Sequence, residues 1–208
     1  MPRERALMLL LDRLRPNWRA QTIHESSPAP RGISNILQAE CRDYTASHFF
    51  PDTAPGHLKN GIRCENIEAM TFQDQTFDIV ITQDVMEHVF YPDRSYRDIY
   101  RVLRPGGLHL HTTPVSMTMP ESIRAAELGA DGQVRHLIPP QFHDNPINEA
   151  GSLVTFHYGR DIASLIAGWA PFSVEMVTFN DRFHGVVGEF TEVIACFRPR
   201  TMPDRRGA

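Results

Sequence analysis

The side chains best equipped for chemistry fall directly behind strand-like runs. Glu25 closes Ala20-Gln21-Thr22-Ile23-His24-Glu25, with Ser26 and Ser27 right after it, and Ser47 follows the next such run. Asn66 and Ile67 stand in Glu65-Asn66-Ile67-Glu68. Gln83 and Asp84 follow the run Phe77 to Thr82, and Glu87-His88 come just after them. Carboxylates, hydroxyls and amides placed this way can hydrogen-bond a polar ligand, although a Glu at a helix start is also stabilising through the helix dipole. His143 and Asp144 sit in Phe142-His143-Asp144-Asn145-Pro146. A histidine titrating near neutrality can take a proton from a hydroxyl, yet Asp-Asn-Pro is equally strong turn chemistry. His109 and His111 alternate along one strand. With His136 and His143 they have no carboxylate at ligand spacing, so no metal site is expected.

These residues need a scaffold, and the pattern supplies an alternating one. The chain reads as a strand at 20–25, a helix from Gly32 to Glu40, a strand at 41–46 and a weak strand at 61–65. Phe77-Asp78-Ile79-Val80-Ile81-Thr82 is the clearest strand, a β-branched run of the kind buried on both faces. A helix from Arg94 to Leu103 follows, stopped by the turn Pro105-Gly106-Gly107 before a strand from Leu108 to Thr113. A helix at 160–169 and strands at 172–179 and 190–198 complete the series. Alternation of this kind argues for parallel α/β layers, and in such sheets ligands bind beyond the strands' carboxyl ends at the switch point.

Two stretches stand outside the alternation. Leu7, Leu10, Leu11, Leu14 and Trp18 recur at helical spacing, so residues 1–19 are expected to form an amphipathic helix laid on the core. Residues 115–152, rich in Pro, Gly, His and Asn, lack strong periodicity and read as a lid or insert. The expected organisation is one domain over 1–198 with a flexible tail at 199–208. His57-Leu58-Lys59-Asn60-Gly61 reads as a loop, and Asp161 as a helix cap or dipole partner.

Composition closes off several classes. The chain has 208 residues and a formal net charge of −4, which shows no basic face for nucleic acid. Of 21 basic residues only Lys59 is a lysine, and it lies outside any P-loop, Schiff-base or Tyr-x-x-x-Lys setting. Three scattered cysteines make neither a disulfide framework nor a zinc site and suit a reducing cytoplasm. The apolar run Ala6 to Leu11 is too short to span a bilayer.

Thr76-Phe77-Asp78-Ile79-Val80, then Met86-Glu87-His88, then Arg101-Val102-Leu103-Arg104-Pro105-Gly106-Gly107, in that order, resemble the type-11 group of class I methyltransferases. The match is strong over about 62–113 and topological over 20–198. The resemblance implies a doubly wound, Rossmann-like, seven-stranded and mostly parallel α/β sheet that binds S-adenosylmethionine and methylates O or N of a small acceptor. It implies that Glu25, Ser26 and Ser27 form the cofactor loop, and that Ser47 stands near the ribose hydroxyls. Asn66 and Ile67 would meet adenine. Gln83, Asp84 and His88 would lie at the methionine end, with Thr113 and Pro114 flooring the acceptor pocket. The loop departs from the family by keeping only Gly32, so close backbone approach is expected to be harder. A non-catalytic scaffold that lost the cofactor is the alternative reading. Oligomeric state is not legible.

Overall fold

The computed structural model describes residues 1–143 and 151–200. Asp144 and the tail from 201 lie outside the described residues. Eight strands form one sheet: β1 (Thr22–Ser26), β2 (Asp43–His48), β3 (Leu58–Lys59), β4 (Ile62–Cys64), β5 (Phe77–Gln83), β6 (Leu103–Thr112), β7 (Ser173–Thr178) and β8 (Glu192–Phe197). Their order is β7-β8-β6-β5-β1-β2-β4-β3. The pairs β1–β2, β1–β5, β2–β4 and β5–β6 are parallel; β6–β8, β7–β8 and β3–β4 are antiparallel.

Helices cover both faces because the strands are apolar on both. Along β5, Ile79 and Ile81 turn to one core with Ile23, Leu108 and Leu110, covered by α1 (Pro2–Leu14) and α2 (Gly32–Glu40). Phe77 and Val80 turn to the other, with Tyr96 and Ile99 of α3 (Pro92–Val102) and Ile162 and Ile166 of α4 (Ile162–Trp169). Strand β8 divides the same way, Val193 and Ala195 to the first core, Ile194 and Cys196 to the second. The expected N-terminal helix is shorter than 1–19. It ends at Leu14, and buried Trp18 sits in a separate turn, its Nε1 donating to Asp12 Oδ1 at 2.8 Å.

Two local expectations need correction, and two gain detail. The eighth strand is Leu58–Lys59, which lies in the stretch read as a loop. Asn60 and Gly61 both take positive φ (52° and 79°) and close a tight hairpin onto β4. Pro105-Gly106-Gly107 lies inside β6, where it shifts the register opposite Phe77 and Ile79. The described part of the 115–152 insert is built of short ribbons. Ile123–Arg124 pairs with Phe156–His157, Ala126–Leu128 with Val134–His136, and Phe142–His143 with Ser152–Leu153. Asp161 holds the N-cap position of α4 without a side-chain cap bond; its Oδ1 instead accepts from the backbone N–H and hydroxyl of Ser122, tying the insert to α4. No helix among the described residues is long and apolar enough to cross a membrane.

Candidate active site

From β1 the sheet runs to β2 and β4 on one side and to β5 and β6 on the other, so the switch point lies between the tips of β1 and β5. Both tips end in a non-glycine residue with left-handed backbone: Ser27 at φ 57° and Asp84 at φ 52°. Each is held by a neighbouring strand, Ser27 N–H on Ser47 O (2.7 Å) and Asp84 N–H on Thr112 O (3.0 Å). The positive φ that a glycine would supply is therefore reached by Ser27, at a cost of about 1–3 kcal/mol. Gly32, at φ 56°, starts α2 beside Glu4.

Glu25 and Gln83 come together behind these tips. The buried Glu25 carboxylate accepts from Ser34 Oγ, Tyr44 Oη and Gln83 Nε2, each at 2.7 Å. Burial pushes its pKa up, and the three donors pull back against that. The pair thus ties α2, β2 and β5 to β1. Ser26 is nearly buried. Ser47 is fully buried with its Oγ 2.8 Å from His24 Nε2. On the β4 side, Asn66 Oδ1 accepts the Glu68 N–H at 3.0 Å, and Ile67 packs into the second core.

A second cluster forms where β5 and β6 end. Glu87 and His88 lie on a short 3-10 turn, Met86–His88, and not at the start of an α-helix. Glu87 is buried; its Oε2 accepts from Thr113 Oγ1 at 2.9 Å, while its Oε1 has no hydrogen-bond partner. Burial first, and the nearby Asp84 charge second, push its pKa up to about 8. His88 Nε2 and His143 Nδ1 each stand 3.8 Å from Glu87 Oε1, and the two rings meet edge to face at 5.2 Å. Burial pushes the His88 pKa down. Asp84 is pushed up by burial, opposed by Arg3, whose Nε lies 2.9 Å from Asp84 Oδ2.

The sequence reading brought His88 and His143 forward but missed Arg3, which arrives from the N-terminal helix and carries no motif. Glu87 had a signal, its place behind β5, that a dipole role also explained. The four histidines weighed for a metal do not converge. His109 and His111 are buried under Tyr96, stacked 4.5 Å apart, and His136 is exposed on its ribbon. Beyond Thr113, at the same end of the sheet, a cavity of about 550 Å³ is lined by Val115, Ser116, Thr118, Phe179, Phe190 and Thr191.

Comparison with known proteins agrees with this geometry. Residues 34–111 match the model of a methyltransferase domain family, type 11. Over 83 residues the chain is 41% identical to a ubiquinone biosynthesis O-methyltransferase of Parvibaculum lavamentivorans. That stretch is 40% of this chain and 33% of the relative, so the chain spans about a third of the length of the relative it matches. A solved S-adenosylmethionine-dependent methyltransferase from Mesorhizobium loti has a TM-score of 0.59 and 13% identity, with 93% of this chain and 98% of that one covered. A Burkholderia thailandensis 1,6-didemethyltoxoflavin-N1-methyltransferase, solved with 1,6-didemethyltoxoflavin and S-adenosylhomocysteine, has a TM-score of 0.53 and 15% identity, with 93% and 76% covered. The fold is the Rossmann-like class I methyltransferase fold, with one added edge hairpin.

Proposed function

We propose, starting from a chain that carries the type-11 methyltransferase domain on a class I methyltransferase fold, that it transfers the methyl group of S-adenosylmethionine to an oxygen or nitrogen of a small acceptor. The observation that carries this reading is the pair of left-handed residues, Ser27 and Asp84, flanking the switch point. Strained backbone held on both sides of a crevice is kept where a ligand has to be approached closely.

The residues present suit that cofactor. Ser26 and Ser27 would donate to its carboxylate, with Arg3 close by. Asp84 would accept from its ammonium group. Asn66 and Ile67 would receive the adenine, the first through its amide and the second by packing. Ser47 would stand near the ribose hydroxyls, its Oγ shared with His24 Nε2. Glu25 and Gln83 act from behind by holding β1 and β5 in register. When bound, the cofactor supplies an electrophilic methyl on a sulfonium centre. The part-buried carboxylate of Asp84 suits that positive charge.

What the chain contributes is alignment, the main source of acceleration for such a transfer. The acceptor would occupy the cavity past Thr113, beneath the 115–152 insert, with Glu87, His88 and His143 handling its proton.

One observation favours the scaffold reading: Glu25 is already saturated by three internal donors. Titration calorimetry with S-adenosylhomocysteine separates the two. Saturable binding is expected, weakened at least tenfold, about 1.4 kcal/mol, by Asn66→Ala and by Asp84→Ala. No saturable binding by the unmodified protein would leave the scaffold reading. Unchanged affinity in both variants would move the site elsewhere.

A further inference from the structure

Glu87 and His88 each present an atom in the form a metal ion requires, and His143 stands beside them. His88 Nδ1 lies 2.9 Å from Leu153 O. A carbonyl only accepts, so the proton sits on Nδ1 and the lone pair on Nε2, which faces Glu87 Oε1 at 3.8 Å. A backbone carbonyl behind a histidine is the usual way a protein fixes the tautomer and aim of a metal-binding ring. Glu87 is prepared in the same manner: the Thr113 hydroxyl takes Oε2, which leaves Oε1 buried without a hydrogen bond. A buried carboxylate oxygen with no partner is costly unless something positive meets it. His143 Nδ1 approaches that same oxygen at 3.8 Å.

We propose that Glu87 Oε1, His88 Nε2 and His143 Nδ1 bind one divalent first-row transition ion, of the zinc or ferrous class, where β5 and β6 end.

The three atoms lie within 4.8 Å of one another. Around an ion with bonds of about 2.0–2.2 Å, ligand atoms stand roughly 3.0–3.5 Å apart. The two observed separations of 3.8 Å, from His88 Nε2 and from His143 Nδ1 to Glu87 Oε1, close through small rotations of these side chains, of which His143 is about a third exposed. Two imidazoles and one carboxylate suit zinc, iron, cobalt or manganese. Magnesium and calcium prefer all-oxygen sets. Three protein ligands leave coordination positions open, as in metal sites that act on a bound oxygen. The partial exposure of His88 and His143 gives the ion a way in.

The ribbon formed by Phe142–His143 and Ser152–Leu153 carries both one ligand and the carbonyl that aims another. Thr155 fastens the same region to the turn, its N–H donating to Glu87 O at 2.8 Å and its Oγ1 also reaching that oxygen at 3.1 Å. The ion would therefore pin this ribbon to the Met86–His88 turn. What the ion would do, lower the pKa of an acceptor hydroxyl bound to it, rests on the methyl-transfer reading; whether it binds does not.

The test uses the full chain, stripped with a chelator and titrated with Co(II), without cofactor or acceptor. The readouts are the visible d–d spectrum and calorimetry. Saturable binding of one ion is expected. His143→Ala and Glu87→Gln should each weaken it about tenfold or more, and Thr113→Val, which only frees Oε2, roughly tenfold. His136→Ala on the neighbouring exposed ribbon should change nothing. Thermal melts of the metal-free variants check that each still folds, and His143→Ala, on a part-exposed side chain, is the decisive variant if Glu87→Gln does not. Absence of saturable binding, or binding indifferent to His143→Ala, would overturn the proposal, as would equal affinity for Mg(II). Because cofactor binding is measured separately, failure here leaves the methyl-transfer reading standing, and the converse also holds.

Discussion

Ser27 and Asp84 take backbone angles that any Cβ resists, and each is locked by one hydrogen bond to a neighbouring strand. For Ser27 this leads to a graded prediction. Ser27→Val should lose about 1–2 kcal/mol in urea unfolding, because a β-branched side chain tolerates positive φ worst. Ser27→Gly should be nearly neutral, since relief of strain is offset by the added freedom of the unfolded chain. Equal losses in the two variants would show that the left-handed turn is not what matters at this position. At this scale the sequence was informative where a strand end announces itself, as at Asp84 and Asn66. It was silent on partners. That His24 would capture Ser47, or that Arg3 would travel from a distant helix to Asp84, depends on register and packing that no local pattern encodes.

Among the elements, those with a strong period were legible and those without one were not. Strand β5 and helix α2 appear close to where the pattern placed them, because a run apolar on both faces and a stretch between a glycine and a strand leave few choices. The ribbons of 115–152 are two or three residues long, too short to show any alternation, and they are held instead by contacts to Glu87, Phe90 and Asp161. The hairpin at Leu58–Lys59 went unread although Asn60-Gly61 is strong turn chemistry, because neither flank alternates. Gly107 belongs to this scale as well. A Cβ there would lie 2.8 Å from Arg104 O and 3.1 Å from Asp78 O, both backbone atoms. Gly107→Ala should therefore lower stability by about 1–3 kcal/mol through overcrowding, as read from chemical denaturation. A loss below a few tenths would mean that the β5–β6 junction yields more easily than this contact implies.

Across the whole molecule, neutral histidines buried in the sheet set an acid limit. Burial, with Arg63 adding to it, lowers the His24 pKa to about 3, and burial alone lowers His111 to about 3. Both values lie below that of a free imidazole. Between about pH 6.5 and 3 the unfolded chain takes up protons that the folded chain refuses, so stability falls as pH falls through that window. Above it these rings have no effect. Each shift corresponds to a loss on the order of several kcal/mol if fully expressed. The urea midpoint should drop steadily from pH 7 to pH 5, and His111→Leu should flatten the slope; a midpoint that does not move over that range would refute this account. The two margins of the sheet differ in a way that matters when the protein is handled. On one side it finishes in the two-residue β3, which leaves little open backbone. On the other it finishes in β7, six residues bonded on one side only. Crowded or warmed molecules would therefore associate margin to margin through residues 173–178, and a charged substitution or a proline there is the first remedy for precipitation.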